Sequence, residues 1–165
     1  MNIHDSIDEF VKVADPAAII FRRIDCAPWI ESLGKLLPKR FPVSYSSLIT
    51  RYAFPAFDAG DIHFFANSGD QSLDELSVAI FQDPNIAQVT HANNFIQFAR
   101  PEGGSYDPIC FDARRSASNR EYPIVRLDHE DILSRNTISS VTNIASSFYR
   151  FVTDFVQRER LRAKG

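Results

Sequence analysis

Apolar residues near the N-terminus recur at helical spacing until a proline interrupts them. The apolar positions 7, 10, 11 and 14 predict a first helix that starts near Asp5 and ends at Asp15-Pro16, since a residue before proline is pushed out of the helical region. Residues 17–24 are apolar and then basic, which fits either a short strand or an extension of the helix. Two further helices are predicted over Pro28–Pro38 and Pro42–Tyr52.

The period of the pattern then changes to two. Phe54–Phe57 and Ile62–Ala66 are predicted to form a hairpin, because the four residues between them are turn formers. Helical spacing returns over Ser72–Gln82, where Ser72 and Glu75 are placed to form a capping box. Asp83-Pro84 ends this helix, and only a short helical turn is expected to follow it, through residue 87.

The second half of the chain begins with strands and ends in a long helix. Three strands are predicted over Phe95–Ala99, Pro108–Asp112 and Tyr122–Leu127, and a helix over Ser140–Arg158. Helices at both ends with consecutive strands between them predict an α+β fold, a single domain whose twisted antiparallel sheet packs against helices on one face.

Composition narrows the class of protein. The chain has 165 residues, 44% hydrophobic and 24% charged, which suits one globular domain, and fourteen phenylalanines predict an aromatic core. The net charge of −3 gives no electrostatic basis for binding nucleic acid. No apolar run is long enough to cross a membrane and the N-terminus is acidic, so we expect a cytoplasmic protein without a membrane partner.

The two cysteines give little indication of chemistry. Cys26 and Cys110 lie far apart and show no metal-binding spacing, so we expect two buried, unreactive thiols in a reducing compartment. A disulfide between them is the alternative.

The polar residues around the last two predicted strands are the candidates for catalysis or metal binding. His129 and Glu130 lie within the cluster Asp128–Asp131, which we interpret as a strand end and a solvated turn. Adjacent residues of a strand point to opposite faces, so these two side chains should not converge. Asp107 and Asp112 also fall on opposite faces, and Asp107 is expected to bond nearby backbone amides. We therefore expect the carboxylates and His129 to stay apart, which disfavours a hydrolase.

A loop with three arginines joins the same two strands. Arg114, Arg115 and Arg120 could bind a carboxylate or a phosphate bidentately, and the alternative is an ordinary solvated loop. Gly103-Gly104-Ser105 has no lysine after it and is not interpreted as a phosphate loop. No catalytic residue, metal ion or cofactor is predicted.

Several of these segments together resemble a known family. The segments Tyr106–Asp112 and Tyr122–Glu130 are similar to the signature of the SUKH superfamily, Smi/Knr-type branch. The resemblance extends upstream to Trp29, Gly34 and Leu37-Pro38 and downstream to Ile144–Phe148 and Phe151. Tyr106 stands where the family usually has glycine, and the Asn-Gly turn typical of the family is missing near Arg51–Phe54.

The resemblance implies a fold, a role and a set of domain boundaries. Residues 1–25 would be a helical extension, 26–158 the SUKH-like domain and 159–165 a basic tail. The family implies no catalytic activity and, in bacteria, an immunity protein that neutralises a cognate toxin, acting as a monomer or weak homodimer. The sheet and its loops would bind the toxin, with these candidates: Tyr106, Asp107, Arg114, Arg115, His129 and Glu130.

Two other functions are weighed against immunity. A regulatory or scaffold protein of envelope assembly is suggested by the fungal members of the family. A metal-dependent hydrolase using Asp107, His129 and Glu130 is the third possibility, which the strand geometry disfavours.

Overall fold

Six strands between residues 57 and 145 form an antiparallel sheet in which each strand pairs with the next along the chain. The computed structural model describes residues 2–115 and 119–165. The elements within these ranges, in order, are α1 (Ile3–Ala14), β1 (Arg22–Arg23), α2 (Pro28–Gly34), α3 (Val43–Arg51), β2 (Tyr52–Ala53), β3 (Phe57–Ala59), β4 (Ile62–Phe64), α4 (Leu76–Ala79), α5 (Pro84–Ala92), β5 (Phe95–Pro101), β6 (Ile109–Asp112), β7 (Ile124–Leu127), α6 (His129–Arg135), β8 (Val141–Ala145) and α7 (Phe148–Arg162). The predicted α+β fold class is confirmed.

Helices cover both faces of the sheet, and the expectation of a single covered face is wrong. Neighbouring strand residues point to opposite faces. On β6, Phe111 packs with Tyr45 of α3 and Phe148 of α7, while Cys110 is buried in the same cluster as Ile86 of α5 and Ile132 of α6. The central strands of the sheet are therefore largely apolar on both faces. A strand with one solvated face would instead alternate apolar and polar residues.

The larger face carries an aromatic core. Phe148, at the start of α7, is fully buried at its centre. The rings around it come from α1, α3, three strands and α7 itself, and they are Phe10, Tyr45, Phe64, Phe98, Phe111 and Phe151. Helix α1 thus contributes to the core of the sheet, although the resemblance implies that residues 1–25 are an extension.

The predicted N-terminal helices are present with shifted ends. Helix α1 begins after Asn2, whose side chain accepts a hydrogen bond from Asp5, and α2 ends at Gly34, before the expected Pro38. Within residues 17–24, Arg22–Arg23 form a short strand, and no part of this segment is helical. The carboxylate of Asp15 accepts the amides of Ile19, Ile20 and Phe21, which turns the chain away from helical geometry so that β1 pairs with β2.

The predicted hairpin is present, but its first strand is displaced: β3 covers Phe57–Ala59 and not Phe54–Phe57, while β4 covers the first three residues of the predicted Ile62–Ala66. Strands β3 and β4 are joined by Gly60 and Asp61, which have φ of 57° and 67°. A two-residue turn with two positive φ values has the twist that flanking strands need.

The segment Ser72–Gln82 is mostly not helical. Glu75 is 1% exposed and its carboxylate accepts hydrogen bonds from the backbone of Ser68 and Gly69, so the predicted capping box with Ser72 is wrong. Only Leu76–Ala79 is α-helical. Helix α5 is longer than expected, because the side chain of Asp83 caps its first turn.

The predicted helix over Ser140–Arg158 is wrong in its first part. Residues Val141–Ala145 form the edge strand β8, which pairs with β7. Helix α7 starts only at Phe148, where the hydroxyl of Ser147 accepts the amide of Arg150, and it continues through Arg162 into the predicted tail. Of the helices in the described ranges, none combines the length and the apolar character required to cross a bilayer.

Both cysteines are free. Cys110 is fully buried in β6, and burial raises the pKa of its thiol well above the ordinary value. Cys26 is exposed, so the expectation of two buried thiols holds for Cys110 alone.

Candidate functional site

Asp107 lies just before β6 and is bound by two residues of the next strand–helix unit. Its Oδ1 accepts the backbone N–H of His129 at 3.1 Å and lies 2.6 Å from the ring Nδ1. Its Oδ2 accepts Nε of Arg126 at 2.6 Å. Because an ionised carboxylate only accepts hydrogen bonds, Nδ1 of His129 carries the proton that it shares with Asp107. The expectation that His129 and the carboxylates stay apart is wrong for Asp107.

The start of helix α6 explains this convergence. The side chain of Asp128 accepts the amides of Glu130 and Asp131 at 2.9 and 3.3 Å, so the helix begins at His129 and there is no solvated turn. The amide of a first helical residue has no partner within its helix, which leaves that of His129 free to donate to Asp107. Asp107 therefore bonds an amide 22 residues away, and the expectation of a nearby amide is wrong.

The network changes the acidity of Asp107. Burial of the carboxyl group raises its pKa, but the hydrogen bonds from His129 and the guanidinium of Arg126 outweigh burial, and the pKa lies below its ordinary value. A lowered pKa means that the ionised pair stabilises the fold at all pH values above the unfolded pKa of about 3.9. This contribution is lost as the pH falls through the folded pKa.

Replacing Asp107 with asparagine should destabilise the fold by about 1–2 kcal/mol at pH 7, because charge-assisted hydrogen bonds to His129 and Arg126 are lost. The penalty should shrink below about pH 4, where the wild-type carboxyl also takes up a proton. Urea unfolding at pH 7 and at lower pH measures both. Asp61→Asn, in the exposed β3–β4 turn, is the matched control. A penalty for Asp107→Asn that stays constant as the pH is lowered would contradict this assignment.

A groove opens beside the network, and we name it the Tyr106 groove. It has a volume of about 340 Å³ and lies between β5, the segment from α4 to α5, and α6. Tyr106 and His129 line one side of it. The apolar lining includes Ile80, Ile86 and Leu133, and the polar lining includes Gln82, Gln97 and Arg100.

Tyr106 is the most exposed side chain of this groove among its large apolar and aromatic residues. It is 64% exposed, and its ring lies 6.1 Å from the imidazole of His129. The guanidinium carbon of Arg100 lies 5.5 Å from the centre of the Tyr106 ring. Leu133, on α6, is a second exposed apolar side chain at 46%. The positive φ values of this loop fall on Gly103 and Gly104, so a tyrosine at 106 is accommodated without strain.

The predicted site residues fall into two groups. Tyr106, Asp107 and His129 lie together at the groove, and Glu130 is exposed on the adjoining first turn of α6. Arg114 and Arg115 follow the other end of β6, roughly 13 Å of strand away. Both are exposed, and Arg114 donates to both carboxylate oxygens of Asp112 at 2.8 and 2.7 Å.

The length of β6 separates these two groups, and part of the arginine loop, residues 116–118, lies outside the described residues. The sequence did not indicate Arg100, Gln82 or Leu133 as residues of the site. The one available signal was a charged residue, Arg100, directly after the apolar run of β5.

Asp107, Asp128 and His129 are close enough to suggest a metal site. One possible ligand atom from each lies within 4.8 Å of the others. However, both oxygens of Asp107 accept hydrogen bonds, one from Arg126, and Asp128 caps α6. A divalent ion would have to displace a guanidinium and a helix cap, so the geometry favours a closed ion-pair network.

No model of a known protein family matches this sequence, and no curated protein matches it significantly. The Tyr106 groove and the sequence resemblance are the features that bear on function.

Proposed function

We propose that this protein is a non-catalytic protein-binding domain that uses the Tyr106 groove to bind a protein partner. The observation that carries the proposal is the exposure of Tyr106 and Leu133 in the lining of a groove that also contains Arg100. Tyrosine and arginine are enriched among the residues that dominate protein–protein affinity. A half-buried arginine next to two exposed apolar side chains is the composition expected at the centre of an interface.

The Asp107–His129 pair favours a structural role over catalysis. An aspartate that orients an imidazole is also found in catalytic triads, where the histidine then contacts a nucleophile. Among the described residues, no serine, threonine or cysteine side chain is hydrogen-bonded to the ring of His129. Instead, the pair holds the start of α6 against the strand entrance at Asp107, and so fixes Tyr106 and Leu133 relative to each other. The metal-dependent hydrolase remains the weaker alternative.

We further propose that the partner is a toxin and that this protein acts as its immunity protein. This narrower proposal rests on the similarity of Tyr106–Asp112 and Tyr122–Glu130 to the SUKH, Smi/Knr-type signature. An antiparallel sheet whose strands follow one another in sequence is compatible with that resemblance. Because Tyr106 replaces a glycine of the family pattern, the residue that differs would be the one that recognises the partner.

Co-expression with the product of the neighbouring gene tests this function. The wild-type protein should form a complex with that product and restore growth of cells that express it. Leu133→Lys should abolish protection, since it places a charge in the groove. Leu36→Lys alters a side chain that is 65% exposed and lies outside the groove, and it should leave protection intact.

Three outcomes are distinguishable in this experiment. Absence of both complex and protection would contradict the immunity proposal. A complex without any toxicity to relieve would favour the regulatory or scaffold alternative. Equal loss of protection in both lysine variants would show that the groove is not the binding surface.

A further inference from the structure

Arg100 has an environment that differs from that of the other arginines in the described part of the chain. It lies in β5 opposite His63 of β4, at the point where the strand passes beneath the groove. Its guanidinium carbon is 5.5 Å from the ring centre of Phe65 and 5.5 Å from that of Tyr106. Two aromatic rings thus hold the guanidinium, while the N–H groups in its plane stay available for hydrogen bonds.

The hydrogen-bonding capacity of Arg100 is mostly unused. One N–H of Nη2 donates to Oε1 of Gln82 at 3.2 Å. Nε is buried and has no acceptor among the described residues, and no described carboxylate lies within 4.0 Å of the guanidinium. By contrast, Arg51, the other half-buried arginine among the described residues, is paired with Asp8.

The acidic residues around the groove do not neutralise Arg100. Asp83 lines the same groove, but its carboxylate caps α5 by accepting the amides of Asn85 and Ile86 at 2.9 and 3.1 Å. Asp107 is bonded to Arg126 and His129. Asp58, which lines an adjoining cleft together with Arg100, is paired with His63. Arg100 therefore retains a positive charge with free donors at the groove.

We propose that Arg100 binds the carboxylate of an aspartate or glutamate side chain of the protein partner, with a neighbouring apolar side chain of the partner lying against Ile80, Ile86 and Leu133. This inference rests on the proposed protein-binding function and specifies what the groove recognises. A guanidinium binds a carboxylate through two parallel hydrogen bonds, which suits a single planar anion. A phosphate dianion fits less well, because Arg100 is the only arginine or lysine among the described residues that line the groove, and Asp83 lines it as well.

The direct test uses two capped dipeptides, N-acetyl-Leu-Glu-amide and N-acetyl-Leu-Gln-amide, titrated into the ¹⁵N-labelled protein. The Nε–H resonance of Arg100 reports on its guanidinium. We expect the glutamate peptide to shift this resonance in a saturable way and the glutamine peptide to leave it in place. Equal responses to the two peptides, or no response to either, would overturn the proposal.

Variants separate the role of charge from that of folding. Arg100→Gln should abolish the difference between the two peptides, observed through the amides of the groove, and Arg100→Lys should retain part of it because the charge stays. Arg150→Gln on the exposed side of α7 is the matched control and should respond as the wild type does. Thermal unfolding of each variant verifies that it is folded.

Binding of the protein partner provides a second test. Arg100→Gln should weaken binding of the neighbouring gene's product by about tenfold, the effect of losing one charge-assisted hydrogen-bond pair. If the wild type binds that product and Arg100→Gln binds it equally well, this inference fails and the proposed function stands. If the wild type does not bind it, the proposed function fails, and the dipeptides alone decide whether the groove takes a carboxylate.

Discussion

Replacing Phe148 with alanine is expected to destabilise the protein by about 3–5 kcal/mol, the usual effect of deleting a buried phenylalanine ring. Phe148 is fully buried, and its ring centre lies 6.5 Å from that of Phe10, 5.2 Å from Tyr45 and 6.3 Å from Phe111. These rings belong to α1, α3 and β6, so deleting the Phe148 ring removes contacts that α7 makes with all three elements. The loss is a large part of the 5–15 kcal/mol that is typical of domains.

Urea unfolding followed by circular dichroism measures this loss. Tyr106→Ala is the matched control, because it also deletes an aromatic ring but at an exposed position, and it should change stability by no more than about 0.5 kcal/mol. A loss below about 1 kcal/mol for Phe148→Ala would mean that α7 does not pack at the centre of the core.

The elements that the sequence predicts well are those with local signals. Helix α1 has an apolar stripe and a proline after it, and the hairpin at Gly60-Asp61 has turn residues that admit positive φ. The central strands β5 to β7 are marked by short segments rich in apolar residues. In each case, the residues that specify the element lie within it or directly beside it.

The elements that the sequence does not predict depend on distant partners. Val141, Ile144 and Phe148 have helical spacing. Val141–Ala145 nevertheless form the strand β8, because they pair with β7 at the edge of the sheet. Ser147, which caps α7, was the available cue that the helix begins later. Glu75 is similar: its spacing from Ser72 fits a capping box, but its carboxylate bonds the loop at Ser68 instead.

Only part of the candidate site could be predicted for the same reason. Tyr106, Asp107 and His129 were chosen from the sequence, but their contact depends on α6 beginning directly after Asp128. Asp128 is an N-cap residue type, so the start of this helix was open to prediction. The environment of Arg100 could not be predicted, because one of the two rings beside its guanidinium belongs to Phe65, which is distant in sequence.

Tyr106→Ala is expected to weaken partner binding by at least about 2 kcal/mol, roughly 30-fold in Kd, if the groove is the centre of the interface. Tyr106 is exposed, yet its ring is held beside His129 and Arg100, so it should lose little conformational freedom on binding. The fold should be unaffected, since no buried contact of the core is removed.

The most direct measurement of the central claim is the Kd, by isothermal titration calorimetry, of the complex between the protein and the product of its neighbouring gene. Wild type, Tyr106→Ala and Leu73→Ala are compared, where Leu73 is an equally exposed apolar residue outside the groove. The account predicts a Kd raised about 30-fold for Tyr106→Ala and unchanged for Leu73→Ala. An unchanged Kd for Tyr106→Ala in a folded protein would contradict the assignment of the Tyr106 groove as the partner-binding surface.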